Sequence, residues 1–272
     1  MSEIHAIAFI GYGEVGTLFA RQLQAVRPLA VAAYDIKLDA DQTAAPLRTV
    51  AAADGVRLAA SAAEAAAGAD VVFSAVTADQ AESVALAARA WLKPGQMLFD
   101  VNSASPATKA RAGAALAAAG LDYVEGAVMA PVAVPGIRVP VLSGGARAAA
   151  LTEALNACGM NIRAVSGTIG RASATKLCRS IMIKGIEALI IESAAAAAQW
   201  GVSDDVFASL NATFRDADWA ELAPLMDQRV ARHGVRRAAE MREAAAMLAD
   251  MGRPGDLALA VAAAHARRAG SK

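Results

Sequence analysis

Cysteine and aromatic residues are scarce in this chain: two cysteines and 4% Phe, Trp and Tyr in 272 residues. Cys158 and Cys178 allow at most one bridge, which excludes a disulfide-stapled secreted scaffold and makes a reducing cytoplasm the expected compartment. The three histidines are scattered, so no metal site is expected. An excess of either charge is also missing. Lys+Arg and Asp+Glu both number 26, which argues against a nucleic-acid partner. No uninterrupted apolar run reaches the ~18 residues of a membrane span. The nearest candidate, Met182–Ala198, carries Lys184, Glu187 and Glu192 and reads as a buried helix of a soluble protein. The opening MSEIHAIAFIGYGEVG has no basic leader and reads as a first strand rather than a signal peptide. What the chain does have is 56% hydrophobic residues against 19% charged, enough to build a core, and a length of between one and two domains.

Short β-branched runs alternate with alanine-rich helical stretches over the first 165 residues. Strands are expected at His5–Ile10, Ala30–Tyr34, Val56–Ala59, Val71–Val76, Met97–Val101, Tyr123–Val128, Val139–Leu142 and Asn161–Val165. Crossover helices are expected at Val15–Val26, Asp79–Trp91, Ala107–Ala119 and Arg147–Cys158. Apolar strands in that alternation imply a mostly parallel sheet covered on both faces. After Gly170 the pattern is helical throughout. A long helix spans Ala172–Trp200, Ser203-Asp204-Asp205 offers a cap for the next, and Asp218–His233 and Gly234–Met251 read as two more. The expected fold is thus an α/β domain with a mostly parallel, doubly wound sheet at 1–165, followed by an all-α domain at 166–272.

Gly11-Tyr12-Gly13-Glu14-Val15-Gly16 follows the first strand directly and opens a helix. The three glycines permit, in turn, a tight turn, close approach of a pyrophosphate, and close helix packing, while the helix N-terminus favours the negative charge. Asp35 closes the second strand 24 positions after Gly11, where a carboxylate can accept the ribose hydroxyls. This is the fingerprint of a Rossmann dinucleotide site. Asp35 repels a 2′-phosphate, so NAD is the expected cofactor, with NADP as the alternative because Lys37 stands close by.

Four segments in order resemble the β-hydroxyacid dehydrogenases, the family of 3-hydroxyisobutyrate and 6-phosphogluconate dehydrogenases. They are the glycine loop, Ala69–Thr77, Phe99–Pro106 and Gly170–Lys176. The resemblance implies that Val76, Thr77 and Asn102 help to hold the cofactor, that Ser103 contacts a substrate carboxylate, and that Lys176 is the catalytic residue. It also shows departures. Met129-Ala130-Pro131 stands where the family has Ser-Gly-Gly, Ser180 replaces an asparagine, and Ala239-Glu240 takes the place of a lysine and an acid.

Oxidation of a secondary alcohol needs a base for the hydroxyl proton, and the reverse reaction needs an acid at the same place. A lysine serves if burial and neighbouring cations lower its pKa from ~10.4. Lys176, early in the long helix and expected to face a domain cleft, is the candidate, with Arg179 close by. Ser180 at i+4 and Lys184, ~80° further round, share its helix face. Met129 and Ala130 are expected to line the substrate pocket; Arg236 and Arg237 read either as an ordinary polar helix start or as the carboxylate grip missing there. Cys178 is expected to be a small buried hydrophobe, Trp200 and Trp219 to pack between helices, and Glu187 and Glu192 to be ion-paired. The leading expectation is an oxidoreductase acting on a small hydroxy acid or related carbonyl compound. The alternatives are an imine reductase and a non-catalytic NAD(H)-binding regulator. An apolar long helix further implies a homodimer through the helical domain.

Overall fold

The computed structural model describes residues 3–215 and 217–270. Two compact units divide the chain, one reaching Lys176 and one starting at Leu177. In the first, eight strands form one sheet in the order β3-β2-β1-β4-β5-β6-β7-β8. They are β1 Ala6–Ile10, β2 Ala30–Tyr34, β3 Arg57–Leu58, β4 Val71–Ser74, β5 Met97–Asp100, β6 Asp122–Val128, β7 Pro140–Gly144 and β8 Asn161–Ser166. All neighbours pair in parallel except β6 and β7, so β7 and β8 run against the other six. Helices α1 Glu14–Val26, α2 Asp41–Asp54, α3 Ala62–Ala66, α4 Ala81–Ala88, α5 Pro106–Ala118 and α6 Ala148–Ala157 connect them. Every expected strand is present within about two residues. The helices α2 and α3 are additions to the sequence reading, and α4 is shorter than expected at both ends, with a 3₁₀ turn, Ala78–Gln80, before it.

The sheet is apolar on both faces, as covered parallel strands must be. On one face the register brings Phe9, Phe73 and Phe99 side by side on β1, β4 and β5, with ring centroids 4.9 and 5.2 Å apart and Phe19 of α1 set edge-on to Phe73. Four of the six phenylalanines thus meet where three strands face one helix. One residue further along, on the other face, a single register row runs Tyr34, Ile10, Ser74, Asp100, Glu125, Gly144, Ser166 across seven strands. Three polar residues in that row, Ser74, Asp100 and Glu125, are fully or almost fully buried.

A continuous helix, α7, runs Arg171–Trp200 and ends at Gly201, whose φ of 72° is the left-handed conformation of a helix stop. The second unit adds α8 Ser203–Thr213, α9 Trp219–Asp250 and α10 Asp256–Gly270. Three expectations are corrected here. The two helices expected on either side of Gly234 are the single helix α9: a Cβ at Gly234 would lie 2.4 Å from the His265 carbonyl oxygen, so the glycine serves close packing on α10 rather than a break. Ser203 does not cap α8; Val202 holds that position without a side-chain bond. Trp200 is 83% exposed, while Trp219 packs edge-on against Phe214. No helix among the described residues is long and apolar enough to cross a membrane.

His265 of α10 is fully buried, with Nε2 3.1 Å from the Lys184 carbonyl oxygen. Burial, reinforced by the charge of Arg237, lowers its pKa to about 4. In the unfolded chain it titrates near the ordinary ~6.5. Between these values the unfolded state binds more protons, so stability is full above that window and falls as pH drops through it, by at most ~3 kcal/mol. Urea unfolding at pH 7 and pH 4.5 measures the loss. A His265→Gln variant that loses as much as the parent would assign the effect elsewhere.

Candidate active site

Gly11 has φ 93°, a conformation that side chains rarely adopt, and a Cβ there would lie 2.4 Å from the Ala75 carbonyl oxygen. At Gly16 a Cβ would lie 2.3 Å from the Gly11 carbonyl oxygen. At Gly13 it would meet nothing within 4 Å. Two glycines therefore close the turn, and the third opens a bare approach to the first N–H groups of α1, which have no intrahelical acceptor. Glu14 and Val15 supply that first turn. Asp35 is buried and braces the loop: one carboxylate oxygen accepts from the Tyr12 N–H at 2.8 Å, the other from the Lys37 N–H at 3.0 Å. A lone pair on each oxygen is left for a ribose hydroxyl. The Tyr12 side chain is a correction to its place among the cofactor residues, because its ring is buried in the core and only its backbone serves the loop.

Val76 lies against Gly11, and Thr77 opens the 3₁₀ turn after β4. Beyond β5, Asp100 anchors the next loop. Lys109 of α5, wholly buried, pairs with its carboxylate at 2.8 Å, and Tyr123 donates to the other carboxylate oxygen at 2.7 Å. Burial first, and then this carboxylate, push the Tyr123 phenol well above its ordinary value. Asn102 donates its amide to Ser74 at 2.9 Å and to Asp100 at 2.7 Å. Its Oδ1 is buried and has no hydrogen-bond partner among the described residues. These features fit a dinucleotide: an open glycine cradle, a helix terminus for phosphate, a carboxylate at the end of β2 and an unpartnered carbonyl after β5.

Lys176 and Ser103 come together within the first unit. The half-buried Lys176 Nζ donates to Ser103 Oγ at 2.5 Å, although 73 residues separate them. Sequence reading missed the residue that fixes this end of α7. Glu125 is fully buried in β6, and its carboxylate accepts the N–H groups of Gly170 (2.6 Å), Ala172 (3.0 Å) and Ser173 (3.3 Å) and the Ser173 hydroxyl (2.8 Å). The available signal was an acid in the middle of an apolar strand, which must find donors when buried.

Met129 packs with Ala127, Leu142 and Ala172, and Ala130 is exposed after β6. The remaining substrate candidates lie in the second unit. Ser180 donates to Glu240, and the buried Lys184 lies 3.1 Å from Glu240 and 3.2 Å from Ser180. Burial lowers the Lys184 pKa, with Glu240 opposing the shift. Ser180 is thus Glu240's partner rather than a neighbour bonded to Lys176. Arg237 is held by the fully buried Glu187, which Arg229 also approaches at 3.2 Å, so the expected ion pairing of Glu187 is present and a substrate carboxylate would have to compete for Arg237. Glu192 meets Arg267 at 3.6 Å. Arg179 is exposed, and Cys178 is exposed rather than buried, a correction that follows from its place on the outer side of α7. No metal-binding group of His, Cys, Asp and Glu occurs among the described residues.

Comparison with known proteins agrees with this geometry. Residues 6–165 match the NAD binding domain of 6-phosphogluconate dehydrogenase, and residues 197–268 match a domain of unknown function. No curated protein matches closely enough to count as a relative. Among solved structures, a conserved hypothetical protein from Sinorhizobium meliloti 1021 is 38% identical over 99% of this chain and 90% of its own, with a TM-score of 0.82. The Mycobacterium tuberculosis 3-hydroxyisobutyrate dehydrogenase with L-serine shares the fold at 20% identity, covering 98% of this chain and 94% of its own, with a TM-score of 0.79. A reductive aminase from Aspergillus terreus in complex with NADPH4, cyclohexanone and allyl amine shares it at 19%, covering 100% and 97%, with a TM-score of 0.60. The fold is therefore one shared with a 3-hydroxyisobutyrate dehydrogenase and a reductive aminase. The chain belongs to the family built on the NAD binding domain of 6-phosphogluconate dehydrogenase, the β-hydroxyacid dehydrogenases, as a divergent member.

Proposed function

We propose that the protein is an NAD(P)-dependent oxidoreductase that interconverts a small β-hydroxy acid, or a related alcohol, with its carbonyl compound. The observation that carries this reading is the Lys176–Ser103 hydrogen bond, built into the same unit as the glycine cradle. A bound nicotinamide supplies or accepts the hydride. Gly11, Gly13 and Gly16 with the start of α1 would hold its pyrophosphate and Asp35 a ribose, with Asn102 Oδ1 as a further acceptor. Lys176 handles the proton: in oxidation Nζ takes it from the substrate hydroxyl as the C–H bond gives up its hydride, and in reduction Nζ returns it to the carbonyl oxygen. Ser103 orients the amine and offers a hydroxyl to the substrate. The Asp35 carboxylate supports NAD over NADP, because it would repel a 2′-phosphate. Exposed apolar side chains on the helical unit, among them Met182, Leu189 and Trp200, support a homodimer, which light scattering reads directly.

A second reading, reduction of a C=N bond, is favoured by the absence of polar side chains in Met129-Ala130-Pro131 after β6. The experiment is a fluorescence titration with NADH and NADPH, followed by turnover assays on β-hydroxy acids, simple carbonyls and preformed imines. Oxidation of a hydroxy acid with tighter NADH binding is the expected result. Turnover of imines alone moves the protein to the second reading, and cofactor binding without any turnover makes it a nucleotide-binding regulator.

A further inference from the structure

Helices are ordinarily capped from the residue just before them. The first turn of α7 is not: Gly170 precedes it with φ 104° and has no side chain to offer. The acceptor comes instead from β6, 45 residues earlier, where one carboxylate receives four donors, all from Gly170, Ala172 and Ser173. Among the described residues no cation pairs with Glu125, so this buried charge is balanced by the N–H groups, the hydroxyl and the positive end of the helix. The fold also keeps a space for it. Gly144 stands opposite Glu125 in the antiparallel register, and a Cβ there would lie 2.6 Å from Glu125 Oε1. Lys176 follows Ser173 by three residues, less than one helical turn, so little of the helix separates the anchored turn from the lysine.

We propose that Glu125 is a positioning residue: its carboxylate fixes the first turn of α7 and so holds Lys176 Nζ on Ser103. For its catalytic consequence this rests on Lys176 as the proton-transfer group; the anchoring itself does not. Two measurements without substrate read the anchoring. In Glu125→Gln, one oxygen that accepted two donors becomes an amide that competes with them. Hydrogen exchange at the 172–176 amides should then quicken by ~10-fold or more, and acetylation of Lys176 by acetic anhydride should rise by ~3-fold or more relative to the exposed Lys37. Gly144→Ala, which displaces the carboxylate while keeping its charge, should move both in the same direction and serves if Glu125→Gln does not fold. With a substrate in hand, Glu125→Gln should lower kcat by ~10-fold or more and leave the cofactor KM within ~2-fold, because the glycine cradle is untouched. Glu125→Asp, still charged, should recover part of that kcat.

Unchanged exchange and acetylation in Glu125→Gln overturn the proposal. So does a loss shared equally between kcat and cofactor KM, or one that Glu125→Asp does not relieve. A Lys176→Ala variant that keeps turnover would overturn the function proposed above while leaving the anchoring to be decided by exchange and acetylation.

Discussion

Replacing Lys176 with alanine should lower turnover by at least ~10²-fold on whichever substrate the assays return, with NADH affinity unchanged. That factor corresponds to ~2.7 kcal/mol of barrier. The separation of the two readouts follows from the geometry. The amine is bonded to Ser103, whereas the cofactor cradle is built from Gly11, Gly13, Gly16 and Asp35. Lys176→Arg sharpens the test, because a guanidinium keeps the charge and the hydrogen bond but does not release a proton in the working range. It should be about as slow as the alanine variant. Turnover within a few-fold of the parent in either variant would remove Lys176 from the proton-transfer step.

The second large effect concerns stability. Lys109→Met should cost about 3–5 kcal/mol, because it strands the Asp100 carboxylate in the core without its cation. Lys109 is 0% exposed and Asp100 1%, so water cannot substitute for the lost partner. Against the ~5–15 kcal/mol that holds a typical domain together, that is a large fraction. The pair also matters to the site, since Asp100 accepts from both the backbone N–H and the amide of Asn102, next to Ser103. Urea unfolding of the single variant, and of Lys109→Met combined with Asp100→Asn, separates the stranded charge from lost packing: the double variant should recover more than half. A single-variant loss below ~1 kcal/mol would show that Asp100 escapes by taking up a proton.

The cofactor half was legible because its signals are local. A strand, three glycines, a helix and an acid at a fixed distance all lie within Ile7–Asp35, and each has its own backbone reason. Glu125 was opaque for the opposite reason: its partners are 45 and more residues away, and a lone acid in a strand names no donor. Asp100 was opaque at shorter range: its cation sits 9 residues on, in α5, and its phenol 23 residues on, in β6. Gly234 misled because a glycine in a helical pattern reads equally as a stop and as a point of close contact, and only α10 decides between them. Cys178 and Trp200 misled because residue type predicts average burial, not which side of α7 a given position occupies. The Lys176–Ser103 contact was half legible: both residues stood in recognised segments, but nothing in the sequence joined one to the other.

The row from Tyr34 to Ser166 has a consequence for how such a chain can change. Glu125 and Asp100 are fixed at one level of the sheet, and Asp35 and Gly11 each follow the row by one residue. A single inserted or deleted residue within β4, β5 or β6 would turn that strand's polar member to the aromatic face and an apolar neighbour into its place. Length variation among descendants is therefore confined to the connections between strands, while the strands themselves drift only by substitution.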